Sequence, residues 1–310
     1  MPTRRSTTRP HGSSAEPRAR NIHRSAAAGP VSIAPVAFSG EPGSFAEDAV
    51  LSAFGDVERI GVPGFPQVFE AVAAGHASAG VVPIENVVAG TVRETLDLLL
   101  AHDLTIVGEV VVPVRLCLAA LPGQRLEDIE RVSSHIQALE QARDFLRSRP
   151  WVLVSTYNTA GAGKVIVDRA ERGSAAVLSP RAAELFGLEV LAEDIAMDPS
   201  NRTRFWVVAP TAAAIPQLRR AGSDRRRTTI VFGVRNEPGT LLGALHAFAD
   251  RGVNLSKLES RPSRERAWEY VFWADLDGDA SHPACAAALD DLRGRATLVR
   301  VLGSYERAAD

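Results

Sequence analysis

The sequence predicts an α/β protein of two lobes around a cleft, followed by a smaller domain of ferredoxin-like β-α-β-β-α-β topology. Three observations carry that expectation. From Val31 onward, short apolar runs alternate with stretches of helical periodicity, the pattern of a sheet covered by helices. The alternation restarts after "LTIVGEVVVPVRLCLAAL", so the elements form two blocks joined around residues 106–118, and the chain returns near residues 194–208. A polar stretch, "TAAAIPQLRRAGSDRRR", then sets off a third block with four strand-like and two helix-like segments.

In the first block "VSIAPVAFSG" reads as a strand running into a glycine turn, and "SFAEDAVLSAFG" as a helix with Ser44 at its N-cap. "VERIGV" is a strand, "FPQVFEAVAAG" a helix, "ASAGVVPIEN" a strand ending at Asn86, and "TVRETLDLLLAHD" a helix. The most apolar stretch is interrupted by Glu109, Pro113 and Arg115, so it reads as two successive strands and not as a membrane span. The second block runs as a strand to Ser134, helix "HIQALEQARDFLRS", strand "WVLVS", helix "TAGAGKVIVDRAE", strand "SAAVLS" and helix "PRAAELFG". The third runs as strand "TTIVFGV", a helix entered through Pro238–Gly239, strands "VNLSKLESRPS" and "WEYVFWADLDG", helix "HPACAAALDDLRGR" and strand "TLVRVLGSYE". The expected limits are a tail at 1–30, the two lobes within 31–210 (about 31–108 plus 194–210, and about 109–193), a linker at 211–226 and the last domain at 227–306.

The first thirty residues hold six arginines and one glutamate without apolar periodicity, the composition of a disordered tail; a transit peptide or an overlong start also fits. A formal net charge of -2 offers no broad basic field for nucleic acid. Cys117 and Cys285 stand in apolar context and match no metal or redox spacing, which reads as buried free thiols in a reducing cytoplasm. Lys164 and Lys257 are the only lysines, and the arginine excess reads as codon bias.

Ligands of open α/β sheets sit beyond the carboxyl ends of strands. Phe38–Ser44, Glu85–Asn86, Ser134–His135 and Asn158–Thr159 all fall at such ends, and the stretch "DPSNRTRFWVVAP" sets Thr203 between Arg202 and Arg204 at the mouth of a buried strand. An arginine there must meet a partner or a water-filled cleft.

From Ser32 to Glu306 the chain resembles the prephenate dehydratase family, through "GEPGSFAEDA", "VVPIENVVAGTVRETLDLL", "SSHIQALEQAR", "AAVLSPRAAELFGLEVLAEDI" and "NRTRF". "NEPGTLLGAL", "RGVNLSKLESRP" and "WEYVFWADLDG" resemble the family's ACT regulatory domain. The resemblance implies a catalytic region like type 2 periplasmic binding proteins, the conversion of prephenate to phenylpyruvate with loss of water and carbon dioxide, and L-phenylalanine as effector. It also implies a homodimer or homotetramer paired through ACT domains; the chorismate mutase domain fused ahead of some members is not expected, since only the polar tail precedes residue 31. Aromatisation drives the reaction, so no metal or organic cofactor is expected.

Residue by residue, the resemblance marks Thr203 as catalytic, a positioned donor to the departing hydroxyl or a proton relay. Arg204 is the candidate carboxylate clamp, or the partner of an acid such as Glu85 or Asp198. Glu85 stands as the candidate acid or as an orienting group, and Asn86 as a substrate contact. Ser44 presents a helix N-terminus to an anion or acts as a pure cap. Ser134 and Gln137 complete the expected contacts, and His135 reads as a general acid or a backbone-bonded histidine; Ile136 stands where the family usually has proline. Thr159 matches the family's threonine in "YNTAGAGKVI", a form closer to plant arogenate dehydratases because Asn158 and Gly161 replace the usual serine and glutamate. The effector motifs are carried by Gly239, Thr240, Leu241 and Leu242, by Asn254 and Leu255, and by Glu259, Ser260, Arg261 and Pro262, with Thr240 where alanine is common. Two other readings remain: an arogenate dehydratase, and a two-lobed anion sensor without catalysis.

Overall fold

Short polar side chains begin three of the helices at the cleft. Ser44 accepts from the Glu47 amide at 3.3 Å, Asn158 from the Gly161 amide at 3.0 Å, and Ser179 from the Ala182 amide at 3.0 Å, each as an N-cap. The structure, a computed structural model, describes residues 34–210, 215–219, 224–262 and 270–309. The expected tail at 1–30 and part of the expected linker at 211–226 lie outside the described residues.

The first lobe comprises β1 (Val36–Ser39), α1 (Phe45–Phe54), β2 (Arg59–Val62), α2 (Phe65–Ala73), β3 (Ala79–Asn86), β4 (Gly90–Thr91), α3 (Arg93–Ala101) and β5 (Thr105–Pro113). The second comprises β6 (Cys117–Ala120), β7 (Arg131–His135), α4 (Ile136–Gln141), α5 (Arg143–Arg147), β8 (Val152–Thr156), α6 (Thr159–Asp168), β9 (Ser174–Leu178), α7 (Pro180–Leu185) and β10 (Glu189–Ala192). The chain then returns as β11 (Arg202–Ala209), and the first sheet has the order β2-β1-β3-β11-β5 with β4 on β3; the second has β10-β6-β9-β7-β8. β11 is antiparallel to both neighbours, so the returning strand closes the first lobe from inside.

The C-terminal domain follows as β12 (Arg226–Gly233), α8 (Thr240–Ala249), β13 (Leu255–Pro262), β14 (Tyr270–Asp277), α9 (Pro283–Arg295) and β15 (Leu298–Glu306), in the sheet order β13-β14-β12-β15. Its order of elements is the expected β-α-β-β-α-β. The sheet packs on the first lobe through one shared apolar cluster that includes Trp206, Val208, Val231, Trp273, Leu302 and Tyr305. Trp206 and Trp273 stack with ring centroids 6.2 Å apart. β15 comes so close to β5 that a Cβ on Gly303 would meet the Ile106 carbonyl. Gly303→Ala is therefore expected to cost about 1–3 kcal/mol by overpacking, measured as a lower urea midpoint. An unchanged midpoint would show that the two sheets are free to separate.

Three details depart from the sequence reading. β5 continues in the first sheet to Pro113, beyond the boundary near 108. The helix expected over 135–148 breaks at Ala142, because the Gln141 carbonyl accepts from the Met197 amide of the returning chain at 2.8 Å. β4 and β10 form by pairing with β3 and β6; β4 has only two residues and β10 only four, too short to stand out in the sequence.

Candidate active site

A cavity of about 550 Å³ lies between the lobes, at the carboxyl ends of β1, β3 and β7. Ser44, Asn86, His135, Gln137, Thr159 and Thr203 all line it. The lobes are tied across its floor. Ser179 Oγ donates to the Gly43 carbonyl at 3.1 Å, Arg181 pairs with Glu47 at 2.8 Å and Asp48 at 2.9 Å, and Glu41 accepts from Tyr157 at 3.1 Å and Lys164 at 3.0 Å. Gly43 has φ 84°, and a Cβ there would press on the Ala182 backbone, so glycine lets the lobes meet.

The hydroxyl of Thr203 is oriented by Asn86. Asn86 Oδ1 accepts from the Val88 and Ala89 amides at 3.0 and 2.8 Å, and those donors leave no choice about which end of the carboxamide is oxygen. Its Nδ2 therefore faces Asn201 Oδ1 at 2.8 Å, the Arg202 carbonyl at 3.2 Å and Thr203 Oγ1 at 3.0 Å. Thr203 thus receives a hydrogen bond on one lone pair, and its own O–H is free to donate into the cavity. Asn86, expected as a substrate contact, spends its amide on holding the β3–β4 turn and aiming Thr203.

Side chains alternate across β11. Thr203 and Phe205 line the cavity, whereas Arg204 lies on the other face, in a smaller cavity of about 180 Å³ shared with Glu85, Glu109, Arg227, Lys257 and Asp275. Arg204 donates to Glu85 at 2.9 Å, Asp275 at 2.9 Å and Glu109 at 3.3 Å. Burial opposes its charge, but Asp275 and Glu109 outweigh burial and hold its pKa above the ordinary guanidinium value. Of the expected roles, the carboxylate clamp at Arg204 and the acid at Glu85 are corrected and the alternatives hold: Arg204 pairs with Glu85, which orients it, and neither lines the cleft. Ser134 is corrected as well, since its side chain is fully buried and donates to the Val177 carbonyl at 2.6 Å. Arg202 is exposed, with Nε donating to the Ser200 carbonyl at 3.1 Å.

Among the described residues, no lysine or arginine lines the larger cavity, and Glu94 is the one carboxylate that does. Its capacity for anions comes from backbone. The first residues of α1, α2, α3 and α6, helices of nine or ten residues, all open onto it, bringing free amides and the positive ends of four helix dipoles to one space. Burial lowers the pKa of His135, which leaves the imidazole neutral at neutral pH, and its Nδ1 accepts from the Gln137 amide at 3.3 Å. His135 therefore caps α4 through Nδ1, which leaves its proton on Nε2 as a hydrogen-bond donor. Asn201 and Tyr157 escaped the sequence reading. "NRTRF" and "YNTAGAG" contain them: Tyr157 directly follows β8, and Asn201 directly precedes β11.

The expected effector residues occupy two places in the C-terminal domain. Gly239 to Leu242 open α8, with Thr240 Oγ1 turned to the Arg235 and Glu237 carbonyls at 2.6 and 2.9 Å and Leu242 exposed. Asn254 donates to Asp277 at 2.7 Å, and Leu255 to Pro262 form the edge strand β13. Arg261 reaches Asp97 of α3 at 3.0 Å.

A family model described as prephenate dehydratase matches residues 36–213, and one described as ACT domain matches residues 228–294. The chain is 37% identical over 285 residues to arogenate dehydratase/prephenate dehydratase 1, chloroplastic, of Arabidopsis thaliana, covering 87% of this chain and 71% of that protein. A solved structure of prephenate dehydratase from Arthrobacter aurescens in complex with L-Phe superposes with a TM-score of 0.77 and 37% identity, covering 88% of this chain and 90% of that one. Another, described as GqqA, a novel type of quorum quenching acylase, superposes with a TM-score of 0.79 and 32% identity, covering 88% and 98%.

Proposed function

This chain belongs to the prephenate dehydratase family, and on that premise we propose that it converts prephenate to phenylpyruvate under control of L-phenylalanine. The observation that carries the reading is the Thr203 hydroxyl, aimed by Asn86 into a cavity whose walls are helix N-termini. Prephenate is a dianion, and loss of its ring hydroxyl and ring carboxylate consumes one proton and yields water, carbon dioxide and an aromatic ring. Thr203 donates to the departing hydroxyl, and the amides at the helix starts hold the pyruvyl carboxylate. Ser44, Gln137 and Thr159 stand around the same space as substrate contacts. Aromatisation supplies the driving force, so the proposal needs no metal or organic cofactor.

We place the catalytic region at 31–210 and the ACT domain at 227–306. Assembly runs through the ACT domains: β13 is a sheet edge and carries the exposed Leu258, and Tyr270 on β14, paired with Pro262, is exposed as well. Two free, buried cysteines support a cytoplasmic enzyme. An acylase needs a hydroxyl activated by a base. Here Thr203 Oγ1 is bonded to Asn86, Ser44 Oγ to the Glu47 amide and His135 Nδ1 to the Gln137 amide, an arrangement that favours elimination over acyl transfer.

Product analysis with prephenate and arogenate supplied separately, with and without L-phenylalanine, tests the proposal. Phenylpyruvate formed from prephenate and reduced by L-phenylalanine is the expected result. Phenylalanine formed mainly from arogenate would move the assignment to arogenate dehydratase, and Asn158 at the cavity wall would then be the first residue to exchange. Binding of either compound without turnover would make the protein a sensor.

A further inference from the structure

We propose that Lys257 is the positioning residue through which the ACT edge strand sets the Asn86–Thr203 pair, and that Glu259 beside it makes this setting responsive to the effector. The proposal rests on the reading of β13 as part of the effector site. Lys257 is one of two lysines in a chain whose other cationic side chains are arginines. Its side chain is only 13% exposed. Three oxygens surround its ammonium: Thr91 Oγ1 at 3.0 Å, Glu85 Oε1 at 3.2 Å and Glu259 Oε2 at 3.7 Å. A compact ammonium with three rotatable donors suits acceptors spread in this way, and a planar guanidinium fork does not.

The partners belong to two different machines. Glu85 and Thr91 face each other across the β3–β4 pair, and the next rung is Asn86 with Gly90. Lys257 therefore clasps both strands of this small hairpin from outside, one rung from the residue that aims Thr203. Thr91 itself lines the substrate cavity. Glu259 lies two residues along β13 on the same inward side, within the segment assigned to the effector. A carboxylate is the natural partner for the ammonium of an amino acid, so a ligand that draws on Glu259 changes the company of Lys257. The hairpin then shifts relative to β11, and the hydroxyl of Thr203 with it. The two sites share one side chain, which gives the coupling a physical carrier.

The test uses the full chain and its Lys257→Met, Lys257→Arg and Glu259→Gln variants. Calorimetry with L-phenylalanine measures effector binding, steady-state kinetics with prephenate measures turnover, and amide hydrogen exchange over residues 84–91 reports the hairpin. In the wild type, L-phenylalanine is expected to change exchange over 84–91. In Lys257→Met, that response is lost while L-phenylalanine still binds within about threefold, and kcat falls roughly tenfold with KM moved less than about twofold, the pattern of a group acting in the transition state alone. Lys257→Arg keeps the charge and stays closer to Lys257→Met than to wild type. Glu259→Gln loses the exchange response to L-phenylalanine over residues 84–91. A Lys257→Met variant with wild-type kcat and an intact response overturns the proposal, as does a wild-type hairpin indifferent to L-phenylalanine. Wild-type protein that turns over no prephenate sinks the dehydratase reading instead, and the exchange arm still decides this one.

Discussion

Thr203→Val is expected to lower kcat for prephenate by ~10²–10³-fold while KM stays within about twofold, the signature of a donor that matters at the transition state. Valine keeps the shape of the side chain and its place on β11, so loss of activity reports the hydroxyl and not a collapsed strand. The magnitude follows from the surroundings. Asn86 Nδ2 occupies a lone pair of Thr203 at 3.0 Å, and Asn86 is itself locked by the Val88 and Ala89 amides, so the O–H points where it is needed before substrate arrives. A donor fixed in advance costs no reorganisation during the reaction. Thr203→Ser, which keeps the hydroxyl but frees its rotamer, is expected to retain activity within about tenfold. Steady-state kinetics on the two variants, with circular dichroism to show equal folding, decides the matter. Turnover by Thr203→Val within about threefold of wild type would remove Thr203 from the chemistry.

The site was half legible in the sequence, and the half that was misread follows a rule. Arg204, Glu85 and Ser134 were expected in the cleft, and each is the immediate strand neighbour of a residue that does line it: Thr203, Asn86 and His135. A strand shows successive side chains to opposite faces, so adjacent residues on β11, β3 and β7 do not both reach one cavity. The period-2 signal was present in the chain, but polarity at strand ends overrode it. What lay beyond any local signal was the destination of the other face. Asp275 lies 71 residues from Arg204 and Glu109 lies 95, and nothing local announces that they meet. The elements were more legible than the site because helix caps and apolar runs are local. The break at Ala142 depends on Met197, 56 positions from the Gln141 carbonyl it bonds, and so had no local trace.

Arg204→Met should separate the two readings of that arginine by its largest effect, on stability. Arg204 is 12% exposed and pairs with three carboxylates, of which Glu109 and Asp275 are almost wholly buried. Arg227 satisfies Glu109 with contacts of 2.7 Å to both oxygens, and Thr229 supplies Asp275 with one hydrogen bond at 2.7 Å. Without Arg204, Asp275 keeps a buried charge whose one remaining close cation among the described residues is Arg227, with Nε at 3.9 Å. Removing one member of a buried pair costs about 3–5 kcal/mol, because the partner's charge stays desolvated. In a chain of this size that loss is read as a fall in Tm on the order of 10 °C. Arg204→Lys is expected to recover little of it, since one ammonium does not span acceptors fixed by three different strands. A substrate clamp predicts the opposite pattern: a KM for prephenate raised by more than about tenfold in a protein of near-native stability. The geometry predicts KM within about twofold in whatever fraction remains folded, because Arg204 points at the ACT sheet and the substrate lies behind the strand. Thermal unfolding and KM measured on the same preparation distinguish the two. The two guanidiniums that flank Thr203 then have separate duties: Arg202 faces solvent, and Arg204 joins β11 to the C-terminal sheet through Asp275.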